Sequence, residues 1–318
     1  MPRDIYMRIT LLAAATMIAG FVAVIVADLV GLGDYALYRW TTAIMVAVVG
    51  GYGALLVLVV RRNPAPLAIS LLGFPGSGKT VFLTVLFDTM MASGAPGIAF
   101  WPYGADTIER VGADMSALMQ RTWLPPTTPG QVYYYRANAR VGAGLLARRY
   151  KIEIGDYAGE HIHEFDTEHE RWLHKTDYYK YVVQTDVVLL SIDCGTILHG
   201  ERADIRDMEN SFIAALHLLM EHKGVPVGGK LRAPVALVFM KADLARSHEL
   251  PALRERQLDV DELCPRVSKL VRFCEGRCST FKVFVASSVG YVDKDGLPPP
   301  ALKPWGVVEP IVWALRQA

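Results

Sequence analysis

The chain has little net charge and few cysteines. Its 318 residues contain 33 Lys and Arg against 32 Asp and Glu, a formal net charge of +1, so no overall basic field favours nucleic acid as a partner. The four cysteines lack the paired spacing of a zinc ribbon, and such scarcity is typical of a reducing compartment. We expect free thiols and no zinc at Cys194, Cys264, Cys274 and Cys278.

Charge is also missing from two long apolar segments near the N-terminus. Ile9–Ala27 and Trp40–Val60 contain no Asp, Glu, Lys or Arg, and about 20 such residues cross the hydrocarbon core of a bilayer. We therefore predict a transmembrane hairpin in 1–62, with helices at about 9–31 and 40–60. The less favoured alternatives are a signal peptide and a pair of buried core helices. Arginines before the first segment and after the second place both termini and the domain 63–318 on the cytoplasmic side of the inner membrane.

Glycine is concentrated in one turn behind the second apolar segment. The residues Gly73 to Thr80, GFPGSGKT, match G-x-x-x-x-G-K-[ST] between an apolar strand-like run and a helical pattern. Backbone N–H groups of such a turn and the helix N-terminus bind phosphate. We expect Lys79 to reach the β- and γ-phosphates and the Thr80 hydroxyl to bind Mg²⁺. The other predicted nucleotide contacts in this turn are Gly73, Pro75, Gly76, Ser77 and Gly78.

Strand-like segments alternate with helical ones after this turn. The segments 150–160, 186–194, 233–244 and 281–290 each carry an apolar or alternating run, which predicts an α/β fold with a mainly parallel sheet flanked by helices. Ligand loops of such sheets follow the carboxyl ends of the strands. One of these ends carries the sequence DYAG, in which Asp156 is expected to hold the Mg²⁺ shell and the Gly159 N–H to approach a γ-phosphate.

The order GFPGSGKT, DYAG, MKAD and ASS resembles the translation-factor and Ras-related (TRAFAC) class of P-loop GTPases over roughly 66–318. The resemblance implies GTP or GDP with Mg²⁺ as ligands. It also implies that Lys241 stacks on the guanine, that Asp243 binds the guanine nitrogens, and that the Ala286 backbone N–H meets the guanine oxygen.

Three features depart from that pattern. Met240 stands where the class has Asn or Thr, whose side chain ties the base loop to the phosphate loop. Glu160 stands where a Gln orients the attacking water, so we expect slow or partner-activated hydrolysis. A segment at about 97–121 is inserted, with an extra strand and a helix expected in it.

The insertion leads to TWLPPTTPG, residues 122–130. This stretch is expected to supply a switch threonine for Mg²⁺ and catalysis, either Thr127 or Thr128, with Thr128 preferred; the alternative is a Pro-rich surface turn. Its W-x-P-P-x-T pattern resembles bacterial membrane-associated GTPases of the double-GTPase group. We interpret Arg121 and Arg136 as surface residues; the alternative is that one of them is an internal arginine finger. We interpret His161 and His163 as part of a charged helix; the alternative is a metal site.

These patterns lead to one main hypothesis and two alternatives. The main one is a membrane-anchored GTPase, with Lys79, Thr128 and Glu160 as catalytic residues. It is expected to act as a switch or assembly device, with a protein partner or self-association through the switch regions. The alternatives are a nucleotide-binding membrane scaffold with little hydrolysis and a membrane-tethered ATPase.

Overall fold

The structure is a computed structural model that describes residues 63–127, 132–144, 147–157, 181–182, 184–245 and 260–318, with isolated positions between 18 and 53. The chain divides into two units. One comprises Met1–Pro64 with Gly142–Arg149, and the other comprises Ala65–Val141 with Tyr150–Ala318. The second unit carries the predicted ligand motifs.

In the described part of the chain the sheet has seven strands, in the order β2-β3-β4-β1-β5-β6-β7. Strands β4, β1, β5, β6 and β7 pair in parallel, and β2 pairs antiparallel with β3. The predicted α/β class with a mainly parallel sheet is confirmed. The strands are β1 Ala65–Gly73, β2 Ile98–Pro102, β3 Val132–Val141, β4 Arg148–Tyr157, β5 Val187–Asp193, β6 Val235–Met240 and β7 Phe281–Val285.

Helices cover both faces of this sheet. Because β5 and β6 are buried on both faces, they read as continuous apolar runs, VVLLSID and VALVFM. One core cluster includes Leu190, Phe239 and Phe212 of helix α4, and the other includes Leu189 and Phe82 of helix α1. The helices are α1 Lys79–Ala92, α2 Ala105–Met119, α3 Cys194–His199, α4 Arg202–His222, α5 Val260–Leu263, α6 Ser268–Arg277 and α7 Glu309–Gln317, with 3₁₀ turns at Ala242–Ala245 and Cys264–Val267.

Strand β2 and helix α2 lie within the segment 97–121 that the sequence predicts as an insertion. Strand β2 adds an edge to the sheet beyond β3, with Trp101 opposite Asn138. Helix α2 packs its apolar stripe into the sheet: Val111, Met115 and Leu118 are buried. This segment therefore extends the sheet on the side away from β6 and β7.

The predicted membrane helices in 1–62 fall outside the described residues, apart from isolated helical positions such as Ile18 and Val22. Among the helices that the structure describes, none is long and apolar enough to cross a membrane. The longest of them, α4, has 21 residues but is amphipathic and carries several charged residues. The prediction of an integral protein of the inner membrane is contradicted by this finding.

Candidate functional site

A cavity of about 600 Å³ lies at the carboxyl-end edge of the parallel strands. Such an edge is where open α/β sheets bind ligands, because the loops that follow the strands converge there. Three parts of the second unit form the walls: the loop between β1 and α1, the segment before β3, and the loops after β6 and β7. The lining residues are 75–81, 123–127, Met240, Lys241, Asp243, Leu244, Ser288, Val289, Val292 and Gly296.

The turn between β1 and α1 has the backbone that its glycines predict. A Cβ on Gly73 would overlap the hydroxyl of Ser191 on the neighbouring strand β5, so a larger residue does not fit there. Gly78 precedes the helix with φ 89°, a left-handed conformation that L side chains rarely adopt. The turn therefore brings backbone N–H groups and the N-terminus of α1 to the cavity.

Lys79 points into this turn. Its side chain is buried, and its Nζ donates to the carbonyl oxygens of Gly73 at 2.7 Å and Phe74 at 2.9 Å. The ammonium group is thus held at the centre of the loop by neutral acceptors. A phosphate oxygen is a stronger partner for the ammonium group, because it carries a negative charge that a carbonyl oxygen lacks.

Three oxygen-bearing side chains meet beside Lys79. The Thr80 hydroxyl donates to Asp156 Oδ2 at 2.9 Å and lies 3.1 Å from the Thr127 hydroxyl. Asp156, near the end of β4, is fully buried. Its other oxygen, Oδ1, has no hydrogen-bond partner within the part of the chain that the structure describes.

The burial of Asp156 is costly without a further partner. Desolvation raises the pKa of its carboxyl, and the Thr80 hydrogen bond and the Lys79 charge oppose this shift without cancelling it. A hard cation is the partner that such a group lacks, because Mg²⁺ prefers carboxylate and hydroxyl oxygens. The residues at this position therefore fit Mg²⁺.

The predicted site residues of the switch regions are only partly described. Thr127 contacts Thr80, so it is the threonine that the structure brings to the phosphate loop. Thr128, which the sequence analysis preferred, lies outside the described residues, as do Gly159 and Glu160. Their three roles stay predictions.

The base-reading residues predicted after β6 line the same cavity. Asp243 is buried, and its Oδ1 accepts a hydrogen bond from the Ser287 hydroxyl at 2.5 Å. That hydroxyl in turn accepts the Gly290 N–H at 2.8 Å. Lys241 has a left-handed backbone, φ 55°, and its Nζ donates to Asp193 Oδ2 at 2.7 Å. Ser287 and Asp193 were missed by sequence reasoning.

Ala286 does not occupy the place predicted for it. Its backbone N–H donates to the Phe239 carbonyl at 2.8 Å, which continues the hydrogen bonding between β6 and β7. This N–H is therefore unavailable to a ligand. Ser288, two residues further along the chain, lines the cavity instead. The Ala286 N–H is thus used within the protein, directly after the end of β7.

The segment that carries Thr127 is tied to the loop after β7. Arg121 forms an ion pair with Asp293 and donates from Nε to the Pro298 carbonyl at 3.3 Å. The Trp123 indole N–H donates to the Gly296 carbonyl at 2.8 Å. We call these contacts the cavity clamp, because they join two segments that both line the cavity, through Trp123 on one and Gly296 on the other.

Arg121 and Arg136, which the sequence analysis reads as surface residues rather than internal arginine fingers, each have a carboxylate partner. Arg121 pairs with Asp293, and Arg136 on β3 pairs with Glu153 on β4 at 2.9 Å. His161 and His163 lie outside the described residues. All four cysteines are free thiols. Over the described residues, no group of three or more His, Cys, Asp or Glu side chains is placed to hold a metal ion.

Comparison with known proteins yields distant structural likenesses. No family model and no curated protein matches the chain. The Arl6 BBS3 small GTPase from Trypanosoma brucei, solved with the nucleotide analogue GppNp, is 14% identical with a TM-score of 0.40, over 80% of this chain and 100% of that one. A putative nucleolar GTP-binding protein 1 from Plasmodium falciparum is 12% identical with a TM-score of 0.37, over 80% and 87%. At such values we infer function from the site residues alone.

Proposed function

We propose that this chain binds a guanine nucleotide with Mg²⁺ and hydrolyses GTP to GDP and phosphate. The observation that carries the proposal is that one cavity of about 600 Å³ is lined both by the loop 75–80 and by Lys241 and Asp243. A nucleotide has a phosphate chain at one end and a base at the other. A phosphate loop and a base-reading carboxylate in one cavity suit a ligand of that kind.

The proposed phosphate end of the site combines positive charge with oxygen ligands for a cation. Lys79 and the N-terminus of α1 offer positive charge to the β- and γ-phosphates. Thr80, Asp156 and Thr127 would hold Mg²⁺, which neutralises negative charge on the phosphate oxygens when bound. This charge distribution favours a triphosphate or diphosphate chain with its cation over a neutral ligand.

The base end favours guanine over adenine. A guanine presents two N–H groups, N1–H and the exocyclic amine, that a carboxylate such as Asp243 accepts side by side. An adenine presents a lone pair at N1, which a carboxylate repels. Because Asp243 is buried and Ser287 bonds only its Oδ1, an adenine would give its carboxylate no N–H donor of the base, at a cost of about 1–3 kcal/mol or more.

Hydrolysis requires a water molecule in line with the γ-phosphorus. The water oxygen bonds to that phosphorus, the bond to the β–γ bridging oxygen breaks, and a proton leaves the water, which yields GDP and phosphate. Glu160 is the residue proposed to orient the water. Its negative charge repels the γ-phosphate, so intrinsic turnover is slow and a protein partner or a second copy, acting through the switch regions, accelerates it.

Competition for a fluorescent GDP tests the binding proposal. The full chain is titrated with GTP, GDP and ATP in the presence of Mg²⁺, with Lys79→Ala as the variant that lacks the phosphate-binding ammonium. We expect competition by GTP and GDP, weak or no competition by ATP, and loss of binding in the variant. Equal competition by ATP would refute the preference for guanine. Unchanged GDP binding by Lys79→Ala would refute the phosphate-binding role of the loop between β1 and α1.

Phosphate release tests hydrolysis separately. Single-turnover release from the GTP complex, with and without Mg²⁺, is expected to be slow and Mg²⁺-dependent. Tight GTP binding with no release above the uncatalysed rate would instead favour the nucleotide-binding scaffold.

A further inference from the structure

The residue before Lys241 cannot tie the base loop to the phosphate loop in the usual way. Met240 is buried, and its thioether offers no N–H or O–H donor and is at most a weak acceptor. The two loops nevertheless meet. The Lys241 side chain passes Gly78, where its Cε and Cγ lie 3.4 Å and 3.6 Å from the position that a Cβ on that glycine would take. The link between the loops is thus the aliphatic stem of Lys241.

A lysine stem is a poor link unless its far end is held. Its long, flexible side chain loses rotamer entropy when it becomes fixed. The structure holds that end by an ion pair, since Lys241 Nζ lies 2.7 Å from Asp193 Oδ2. The pair is only partly exposed, with side-chain exposures of 36% and 18%, so water screens it less than a surface pair.

Asp193 is itself well fixed. It is the last residue of β5, it lies opposite Met240 in the parallel pairing with β6, and its Oδ1 accepts the Gly195 N–H at 2.7 Å as the cap of helix α3. Two residues earlier on β5, the Ser191 hydroxyl lies 3.2 Å from the Ser77 hydroxyl in the phosphate loop. The end of β5 therefore contacts the phosphate loop through Ser191 and holds the base loop through Asp193.

We propose that Asp193 is a positioning residue for the nucleotide: it holds the Lys241 stem against Gly78 and so replaces the tie that Met240 cannot make. The stem then offers a fixed apolar surface to the base and ribose. This inference rests on the proposed function, because it concerns how the same site holds its guanine nucleotide. Asp193 is not expected to touch the nucleotide, and it acts through Lys241.

Three substitutions separate the two hydrogen bonds of Asp193. Asp193→Ser keeps a side-chain oxygen that caps α3, since Ser is a good N-cap residue, but it is too short to reach Lys241. Asp193→Asn keeps acceptor capacity for one partner and the side-chain length. Asp193→Ala removes both contacts. The affinity of the full chain for fluorescent GDP with Mg²⁺ is measured alongside the melting temperature.

We expect Asp193→Ser and Asp193→Ala to weaken GDP binding by about tenfold, the scale of losing a hydrogen bond between charged groups, and Asp193→Asn by about threefold. Asp193→Ala, which also loses the cap of α3, is expected to melt at the lowest temperature of the three. The decisive measurement is the double variant with Lys241→Ala. If Asp193 acts through Lys241, the double variant binds no more weakly than Lys241→Ala alone.

Two results overturn the inference while leaving the proposed function intact. The first is a GDP affinity of Asp193→Ser equal to that of the wild type. The second is a double variant in which the losses of GDP affinity caused by Asp193→Ser and Lys241→Ala multiply. If the wild-type chain binds no guanine nucleotide, the proposed function fails and this inference fails with it. The wild-type titration, made first, tells the two kinds of failure apart.

Discussion

Replacing Asp156 by Asn should stabilise the ligand-free protein while removing its response to Mg²⁺. The carboxylate is fully buried, one of its oxygens has no hydrogen-bond partner among the described residues, and burial raises its pKa despite Thr80 and Lys79. An unpartnered buried polar group costs about 1–3 kcal/mol, and a charged one costs more. Asn keeps the acceptor for Thr80 but carries no charge, so we expect a gain of about 1 kcal/mol in the free energy of unfolding.

The expected shifts in melting temperature are measurable. For a domain of this size, 1 kcal/mol corresponds to about 2–4 °C, so Asp156→Asn should melt higher than wild type by about that much without ligand. GDP and Mg²⁺ at 100 times the dissociation constant should stabilise the wild type by about 2.7 kcal/mol, or roughly 5–11 °C. The variant should lose the part of this stabilisation that depends on Mg²⁺.

Thermal unfolding of the full chain, with EDTA, with Mg²⁺ alone and with Mg²⁺ and GDP, checks both shifts. Glu209→Gln is a matched control, since Glu209 is also buried but already accepts the Leu270 N–H at 2.9 Å. The control should gain no stability and keep the full Mg²⁺ response. The reasoning is refuted if ligand-free Asp156→Asn melts at or below the wild-type temperature, or if it keeps the whole Mg²⁺-dependent shift.

Three further substitutions test the rest of the site. Thr127→Val should weaken Mg²⁺-dependent GTP binding more than GDP binding, and Thr128→Val should not; the opposite pattern in a nucleotide titration would restore Thr128 as the switch threonine. Asp243→Asn should shift preference from GTP to XTP, because an amide can donate to the xanthine 2-oxygen, and a competition assay that shows no shift would exclude a base-reading role. Asp293→Asn should open the cavity clamp by removing the charge that pairs with Arg121. Since a partly exposed pair is worth about 1 kcal/mol, GDP release followed by fluorescence should be about fivefold faster, and an unchanged rate would show that the clamp does not control release.

The turn between β1 and α1, which is the proposed phosphate end of the site, could be predicted from the sequence because its geometry is local. Gly73 to Thr80 run without a break from the end of β1 into α1, so residue order alone places Lys79 and Thr80 in the first turn of that helix. The parallel sheet was equally predictable, since β5 and β6 are buried runs without polar interruption until their ends. Asp156 followed from the sheet, because its strand ends at the same edge.

Contacts between strand ends could not be predicted in this way. Ser287 orients Asp243 from the loop after β7, and which residue of ASS does so depends on where β7 stops pairing with β6. The motif placed Ala286 at the base, but the Ala286 N–H is still engaged with Phe239. Ser288, two residues further along the chain, lines the cavity instead.

Met240 shows why a departure from a motif does not by itself measure lost affinity. Read along the sequence, the missing Asn or Thr predicts a loose base loop. In the sheet, the residue directly opposite Met240 is Asp193, and a carboxylate at that position reaches the neighbouring lysine. The same tie is made from β5 instead of β6, through a charged pair in place of a neutral hydrogen bond. Whether the base loop is weakened therefore depends on Asp193, some 47 residues before Met240, and nucleotide affinity should follow Asp193 more closely than it follows the identity of residue 240.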